Sequence, residues 1–386
     1  MSSLPSKIKI GIIGGGQLGK MLIEASRPWN TRTVVLESDK NCPASLVADE
    51  VIIGSLMDAD KIRELAVVSD VVTFEIEHIN AEALKALEEQ GKKVIPSAAV
   101  LQLIQDKGLQ KEFYSKNQIP TAKFKLCHSQ QDLITFSDEF AGTQLVVKHR
   151  KGGYDGKGVE IVTKNDIHTG RYIYPGPCLI EEYCEDMTEY SVIVAADQFG
   201  NLITYPLIEM YFNPRSNLVE FLFSPAEVTE DLEKNCTEVA LQAVKALNSA
   251  GLFAVELFVD KESRVLVNEI APRPHNSGHH TIEGSYTSQF EQLNRILLGL
   301  PLGNTEMVKP SAMINLVGGE NQLGEYKLKF ANELLQLPGV YIHLYNKKEI
   351  KPNRKMGHIT VMADSIDELM LKAKKVQEMA LFEAKK

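Results

Sequence analysis

Glu256 and Glu269 stand thirteen residues apart, and each ends an apolar, β-branched run: AV precedes Glu256, and RVLVN precedes Glu269. The VDKES stretch between them, residues 259–263, has turn composition. Two paired strands would bring both carboxylates, with Asn268, to one end of a sheet. Hard oxygen ligands with room left for water and phosphate are what Mg²⁺ selects. Two surface glutamates on a plain hairpin would give the same spacing. The next residues favour chemistry: Arg273, His275 and His279 crowd into the proline-broken segment APRPHNSGH directly after Glu269 and Ile270. Carboxylates followed at once by cationic and imidazole groups suit a site that handles a divalent cation and anions.

Two glycine loops add phosphate chemistry. In GIIGGGQLGK, Gly14-Gly15-Gly16-Gln17-Leu18-Gly19 fits GxGxxG between a strand and a helix, and Glu37 ends the following strand eighteen residues past Gly19. Taken alone, that is the dinucleotide pattern of a nicotinamide-dependent oxidoreductase. The backbone physics is more general, because glycines let amides at a helix N-terminus approach any phosphate. The second loop, HRKGGYDGKGV, carries Gly152, Gly153, Gly156 and Gly158 directly after the strand QLVVK, which ends at Lys148. A lysine there can reach phosphate oxygens, and the loop can fold over them as a lid; a mobile hairpin with solvated basic residues is the plainer alternative. An oxidoreductase has no use for paired metal carboxylates and a second glycine loop. The segment CLIEEYCEDMTEYSV offers Glu181, Glu182 and Glu189. It reads as an acidic loop, or as a strand whose backbone at Tyr183 and Cys184 takes adenine while a later carboxylate takes ribose hydroxyls.

These groups need elements to position them. Over the first hundred residues strand-like and helix-like periods alternate, with a helix at 17–26 and another at 81–90, as in a parallel α/β sheet. A helix is expected over 101–117, and the clearest one of the middle region over 231–248. The segment GLPLGNTE, residues 299–306, reads as a second boundary, and the remainder as a β-rich cap closed by a helix from Ile366. The expected domains are therefore 1–100, 101–303 and 304–386.

Composition limits the partners. The net charge of −9 argues against bulk nucleic-acid binding, while local cations at 148–151, Lys157, Arg273, Arg354 and Lys355 still allow small anions. No apolar run approaches the length of a membrane span, and the N-terminus lacks a signal-peptide pattern. Five scattered cysteines without CxxC spacing read as reduced thiols of a cytosolic protein.

NEIAPRPHNSGH, VELF and GGYDGKG together resemble the N5-carboxyaminoimidazole ribonucleotide synthetase family of ATP-grasp enzymes, and the likeness runs from GIIGGGQLGKM to NRKMGHIT. The resemblance implies an α/β ATP-grasp fold with an N-terminal Rossmann-like domain and a small C-terminal cap. It implies a cytoplasmic homodimer that uses ATP, Mg²⁺, bicarbonate and aminoimidazole ribonucleotide in purine biosynthesis. Glu256 and Glu269 would hold the metal. Lys107, Lys148, Gly153, Tyr154, Gly156, Gly158, Glu181, Glu182, Tyr183, Cys184, Glu189, Phe212, Asn268 and Glu269 would bind the nucleotide. Gly16, Gln17, Leu18, Gly19, Glu75, Tyr154, Asp155, Arg354 and Lys355 would bind the ribonucleotide. Asp155, His275, Arg273 and Lys157 would carry the chemistry, with Asp155 facing the substrate amine and Arg273 holding bicarbonate. Two positions depart from the family: Lys157 replaces an arginine, losing its bidentate fork, and Met210-Tyr211-Phe212 replaces Asn-x-His after Glu209. A formate-dependent glycinamide ribonucleotide transformylase would share everything except the acyl donor.

Overall fold

The computed structural model describes residues 8–152, 158–213, 215–216 and 218–384. The N-terminal unit is a parallel sheet of order β3-β2-β1-β4-β5, built from β1 (Lys9–Ile13), β2 (Arg32–Glu37), β3 (Glu50–Ile53), β4 (Val71–Phe74) and β5 (Lys93–Val94). Helices α1 (Gln17–Ser26), α2 (Ala59–Val68) and α3 (Ala81–Glu89) connect its strands. Runs such as KIGII in β1 and VVTF in β4 are buried almost throughout, as a sheet covered on both faces requires. The glycine loop leaves β1 and opens α1.

Two further helices follow, α4 (Ala98–Ile104) and α5 (Lys107–Lys116). The single helix expected over 101–117 is thus broken at Gln105-Asp106. The Asp106 carboxylate accepts from the Gly108 and Leu109 amides and starts a new helix there, a cap worth about 1 kcal/mol. Its other function is visible across the fold: Arg150 Nε and Nη2 donate to the two Asp106 oxygens at 2.8 and 2.9 Å.

The middle of the chain splits into two sheets. A four-stranded antiparallel sheet of order β6-β9-β7-β8 contains β6 (Phe124–Cys127), β7 (Gln144–His149), β8 (Val159–Thr163) and β9 (Cys178–Glu182), with α6 (Gln130–Ser137) and α7 (Lys164–His168). A nine-stranded sheet contains β10 (Thr188–Ala196), β11 (Leu202–Thr204), β12 (Ile208–Phe212), β13 (Val219–Ser224), β14 (Gly251–Val259) and β15 (Val265–Ala271), backed by α8 (Glu230–Leu247). The cavity between the two sheets is where charged side chains converge.

The large sheet does not stop at residue 303. After α9 (Thr281–Gly284) and α10 (Gln289–Leu298), β16 (Ser311–Val317) pairs antiparallel with β13, and the order runs on through β19 (Lys355–Met362) to β18 (Val340–Leu344). A two-stranded sheet of β17 (Tyr326–Leu328) and β20 (Phe382–Ala384), with α11 (Ala331–Leu335) and α12 (Ile366–Met379), completes the chain. The core follows these seams: one apolar cluster joins α1 to α10 and the large sheet, and a second lies under α8. Among the described residues no helix is long and apolar enough to cross a membrane.

Candidate active site

β14 and β15 pair so that Glu256 faces Glu269 directly, while Leu257 pairs with Val267. Asn268 is therefore the extra residue of a β-bulge, which re-aims side chains that a regular strand would send to opposite faces. Asn268 Nδ2 lies 3.4 Å from Glu256 Oε2, and Asn268 Oδ1 accepts from Lys148 Nζ at 3.0 Å. Lys107, the first residue of α5, pairs with Glu269 Oε2. His275 Nε2 lies 3.4 Å from Glu256 Oε1, and its Nδ1 is tied to Ser277 Oγ at 2.9 Å.

The two facing carboxylates have opposite electrostatics. Burial raises the Glu256 carboxyl, and the charges of Glu269 and Glu189 raise it further. The Lys107 ammonium holds Glu269 well below the usual carboxylate range, against the effect of its burial. A Glu256 carboxyl that repulsion from Glu269 and Glu189 keeps from ionising, beside an ionised Glu269, is an oxygen donor pair that a hard divalent cation fits. Among the described residues no group of three or more His, Cys, Asp or Glu side chains is poised to hold a metal. A cation here would take the two carboxylates and complete its shell with phosphate oxygens and water.

The lysines share one further carboxylate. Lys148 Nζ lies 2.8 Å from Glu181 Oε2, and Lys111 Nζ lies 2.7 Å from Glu181 Oε1. Burial alone would raise the Glu181 carboxyl, but Lys148 and Lys111 together bring it down to about 2. Lys107, Gln110, Lys111, Lys148, Glu181, Asn268 and Glu269 line one small pocket. Lys111 was not among the residues expected from sequence. It stands one helical turn after Lys107 on α5, a spacing that shares a helix face but does not by itself mark a buried lysine.

The expected adenine segment closes β9. Glu182 turns its carboxylate to the Lys123 amide at 3.0 Å, so this side chain serves the fold. Glu189, the second residue of β10, lies opposite Phe258 and Met210, and burial raises its carboxyl to about 7 although Lys148 opposes the rise. Phe212 packs against the main apolar cluster, which contains Met210.

The first glycine loop has the expected strand–loop–helix form, with Gly14 at φ +99°. Its donors already serve protein carboxylates. The Gly15 amide donates to Glu37 Oε2 at 2.9 Å, the Gly16 amide to Glu75 Oε1 at 2.5 Å and the Gly19 amide to Glu75 Oε2 at 3.2 Å. Glu37, the acidic residue of the dinucleotide pattern, is thus turned onto the loop itself. A Cβ on Gly16 would lie 2.7 Å from Glu75 Oε1, so a larger residue would displace the carboxylate from the Gly16 amide. Burial raises the Glu75 carboxyl to about 7, against the Gly16 hydrogen bond and the Arg273 charge.

Two residues after Glu75, Glu77 reaches the site loop: its Oε1 lies 2.7 Å from Arg273 Nε. Arg273 Nη1 also donates to the Pro274 carbonyl at 3.0 Å. Lys355 opens β19, and Arg354 donates to the Glu349 carbonyl at 2.9 Å. His279 corrects the sequence reading. It is buried, with its ring 4.8 Å from His358 and 5.8 Å from Phe290, and burial keeps it neutral. It belongs to the core beneath the loop and not to the constellation formed by Arg273 and His275.

Gly153, Tyr154, Asp155, Gly156 and Lys157 lie outside the described residues. The loop's two stems are described. His149 N donates to Gly158 O at 2.8 Å, Lys107 N donates to Arg150 O at 2.8 Å, and Arg150 holds Asp106 as above.

Three family models match consecutive parts of the chain: the ribonucleotide synthetase preATP-grasp domain over 7–105, the ATP-grasp domain over 112–290 and the phosphoribosylaminoimidazole carboxylase C-terminal domain over 311–372. The N5-carboxyaminoimidazole ribonucleotide synthase of Bacillus subtilis is 37% identical over 363 residues, covering 93% of this chain and 92% of that protein. A chloroplastic phosphoribosylaminoimidazole carboxylase of Vigna aconitifolia is 36% identical over 94% of this chain, but the chain spans only 65% of that longer relative. Among solved structures, the N5-carboxyaminoimidazole ribonucleotide synthetase of Thermotoga maritima superposes with a TM-score of 0.89 at 40% identity, covering 98% of this chain and 100% of that one. The Aspergillus clavatus synthase in complex with ADP and 5-aminoimidazole ribonucleotide superposes with a TM-score of 0.87 at 32% identity, covering 97% and 98%. The chain belongs to the N5-carboxyaminoimidazole ribonucleotide synthase family of ATP-grasp ligases.

Proposed function

We propose that this ligase couples cleavage of ATP to ADP and phosphate with carboxylation of 5-aminoimidazole ribonucleotide by bicarbonate, in the cytoplasm and as a homodimer. The observation that carries the reading is the convergence of Glu256, Asn268 and Glu269 with Lys107 and Lys148 between the two sheets. Opposed carboxylates and lysines are what transfer of a phosphoryl group requires, because its charge must be neutralised as it moves. Mg²⁺ on Glu256 and Glu269 would draw negative charge off the transferring group when bound. Cytoplasm accords with five free cysteines, four of them buried. The homodimer rests on family membership.

In this reading a bicarbonate oxygen attacks the γ-phosphorus, the bond to the β-phosphate oxygen breaks, and carboxyphosphate and ADP form. The substrate's exocyclic amine then bonds to the carboxyl carbon, directly or after release of CO₂, and phosphate leaves. Arg273 holds the bicarbonate, its guanidinium oriented by Glu77. His275, tied through Nδ1 to Ser277, presents Nε2 beside Glu256 and, with Asp155, orients or deprotonates the substrate amine. Asp155 receives the amine side, and the 152–158 loop excludes water from the short-lived intermediate. Gly16 to Gly19, Glu75, Arg354 and Lys355 hold the ribonucleotide, the Gly16 and Gly19 amides exchanging the Glu75 carboxylate for it.

The test follows phosphate release in CO₂-depleted buffer with Mg²⁺, ATP and the aminoimidazole ribonucleotide. Full rate on adding bicarbonate is expected. Equal turnover with formate, or release of AMP and pyrophosphate, would overturn the reading.

A further inference from the structure

Five polar contacts close a ring across the cleft. Thr121 Oγ1 donates to the Val267 carbonyl at 2.7 Å and accepts from Lys111 Nζ at 2.6 Å. Lys111 Nζ meets Glu181 Oε1 at 2.7 Å, Glu181 Oε2 meets Lys148 Nζ at 2.8 Å, and Lys148 Nζ donates to Asn268 Oδ1 at 3.0 Å. Asn268 follows Val267 in β15, so the ring returns to its start. It ties α5, β9 and β7 on one side to the bulged strand that carries Glu269 on the other.

The side chains of Lys111 and Glu181 are each only 4% exposed, whereas that of Lys148 is 11% exposed and stands at the pocket. Two ammonium groups share this one carboxylate, so the trio carries a net single positive charge, and Lys148 is its more accessible end. A buried carboxylate left with one lysine would hold that lysine as a neutral pair. Removing Lys111 would therefore act on Lys148 without touching it.

We propose that Lys111 is a positioning residue for phosphoryl transfer: by pairing its charge with one oxygen of Glu181 it leaves Lys148 a cation available to the nucleotide phosphates. In this account Glu181 is a counter-ion shared by two lysines, and its side chain does not read adenine. The proposal rests on the reading that Lys148 meets those phosphates. The low proton affinity of Glu181, set by both lysines against its burial, agrees with a permanently ionised bridge.

The experiment measures ADP affinity by calorimetry on the full chain for four forms: wild type, Lys148→Met, Lys111→Met, and the double variant Lys111→Met/Glu181→Gln. Loss of a charged contact to phosphate predicts about tenfold or more weaker binding for Lys148→Met and for Lys111→Met. The double variant frees Lys148 again and should return to within about threefold of wild type, a recovery that a purely structural role for Lys111 would not give. Where Lys111→Met shows no cooperative melting, the double variant carries the test alone: ADP binding near wild type supports the proposal, and weak binding by a folded double variant overturns it. Unchanged ADP affinity in Lys111→Met beside weakened affinity in Lys148→Met also overturns it. Unchanged affinity in Lys148→Met removes the parent reading instead.

Discussion

Lys107 and Glu269, 162 residues apart in sequence, form an ion pair across the cleft. Lys107 is placed by the cap that begins α5, and Glu269 by the bulge in β15. Their pairing keeps Glu269 ionised while its partner across the strands, Glu256, is pushed toward the protonated form. A cation arriving between them meets one ready ligand and one that must release a proton.

Glu269→Gln should therefore fold normally and lose Mg²⁺-dependent phosphoryl transfer by roughly 100-fold or more, as removal of a metal ligand from a transition state does. Steady-state kinetics at saturating Mg²⁺ decides it. A kcat within a few-fold of wild type would assign the residue to the hairpin alone.

Glu75 predicts a pH effect on stability. Its folded carboxyl lies at about 7, whereas an unfolded glutamate lies near 4.3. Between these values the folded chain holds a proton that the unfolded chain releases, so this group's contribution falls as pH rises through the window. Over the whole window that is about 4 kcal/mol at roughly 1.4 kcal/mol per unit. Glu75→Gln keeps an acceptor for the Gly16 amide and does not titrate. The variant's Tm relative to wild type should be higher at pH 8 than at pH 5, and an identical difference at both would contradict the assignment.

Much of this arrangement was legible in the residues. The helix read at 17–26 is α1, carried by its apolar periodicity, and that read at 231–248 is α8 shifted by one residue, where periodicity coincides with the Thr229 cap. The facing of Glu256 and Glu269 followed from their spacing across one turn. What escaped depends on distant partners. Asp106 caps α5 locally, but its partner Arg150 lies 44 residues away, and the glycine-loop amides at Gly16 and Gly19 are taken by Glu75, 56 to 59 residues away. No local pattern encodes such pairings. Lys111 was hidden for another reason: a lysine on a helix ordinarily faces water, and only the buried Glu181 makes it internal.

Asp155 separates a chemical role from a turn-forming one. Asp155→Asn should retain ADP binding and lose carboxylation, because asparagine supports a turn about as well as aspartate but cannot take a proton. A near-normal kcat for the variant would make the residue structural.

Phe212 supplies no hydrogen bond at a position where the sequence resemblance leads one to expect histidine. Restoring one is worth about 0.5–1.5 kcal/mol, so Phe212→His should change KM for ATP by less than about tenfold. KM for the ribonucleotide should stay constant, since Phe212 packs on the apolar cluster around Met210. A wild-type chain that fails to bind ATP, beside a Phe212→His variant that binds it, would contradict the proposed function.

The central claim is that bicarbonate attacks the γ-phosphate between the two sheets. Bicarbonate labelled with oxygen-18, turned over with ATP and the aminoimidazole ribonucleotide, tests it most directly. One labelled oxygen should appear in each inorganic phosphate released, because the attacking oxygen leaves with the phosphorus. Phosphate free of label, with the label retained only in the carboxylated product and water, would contradict the account.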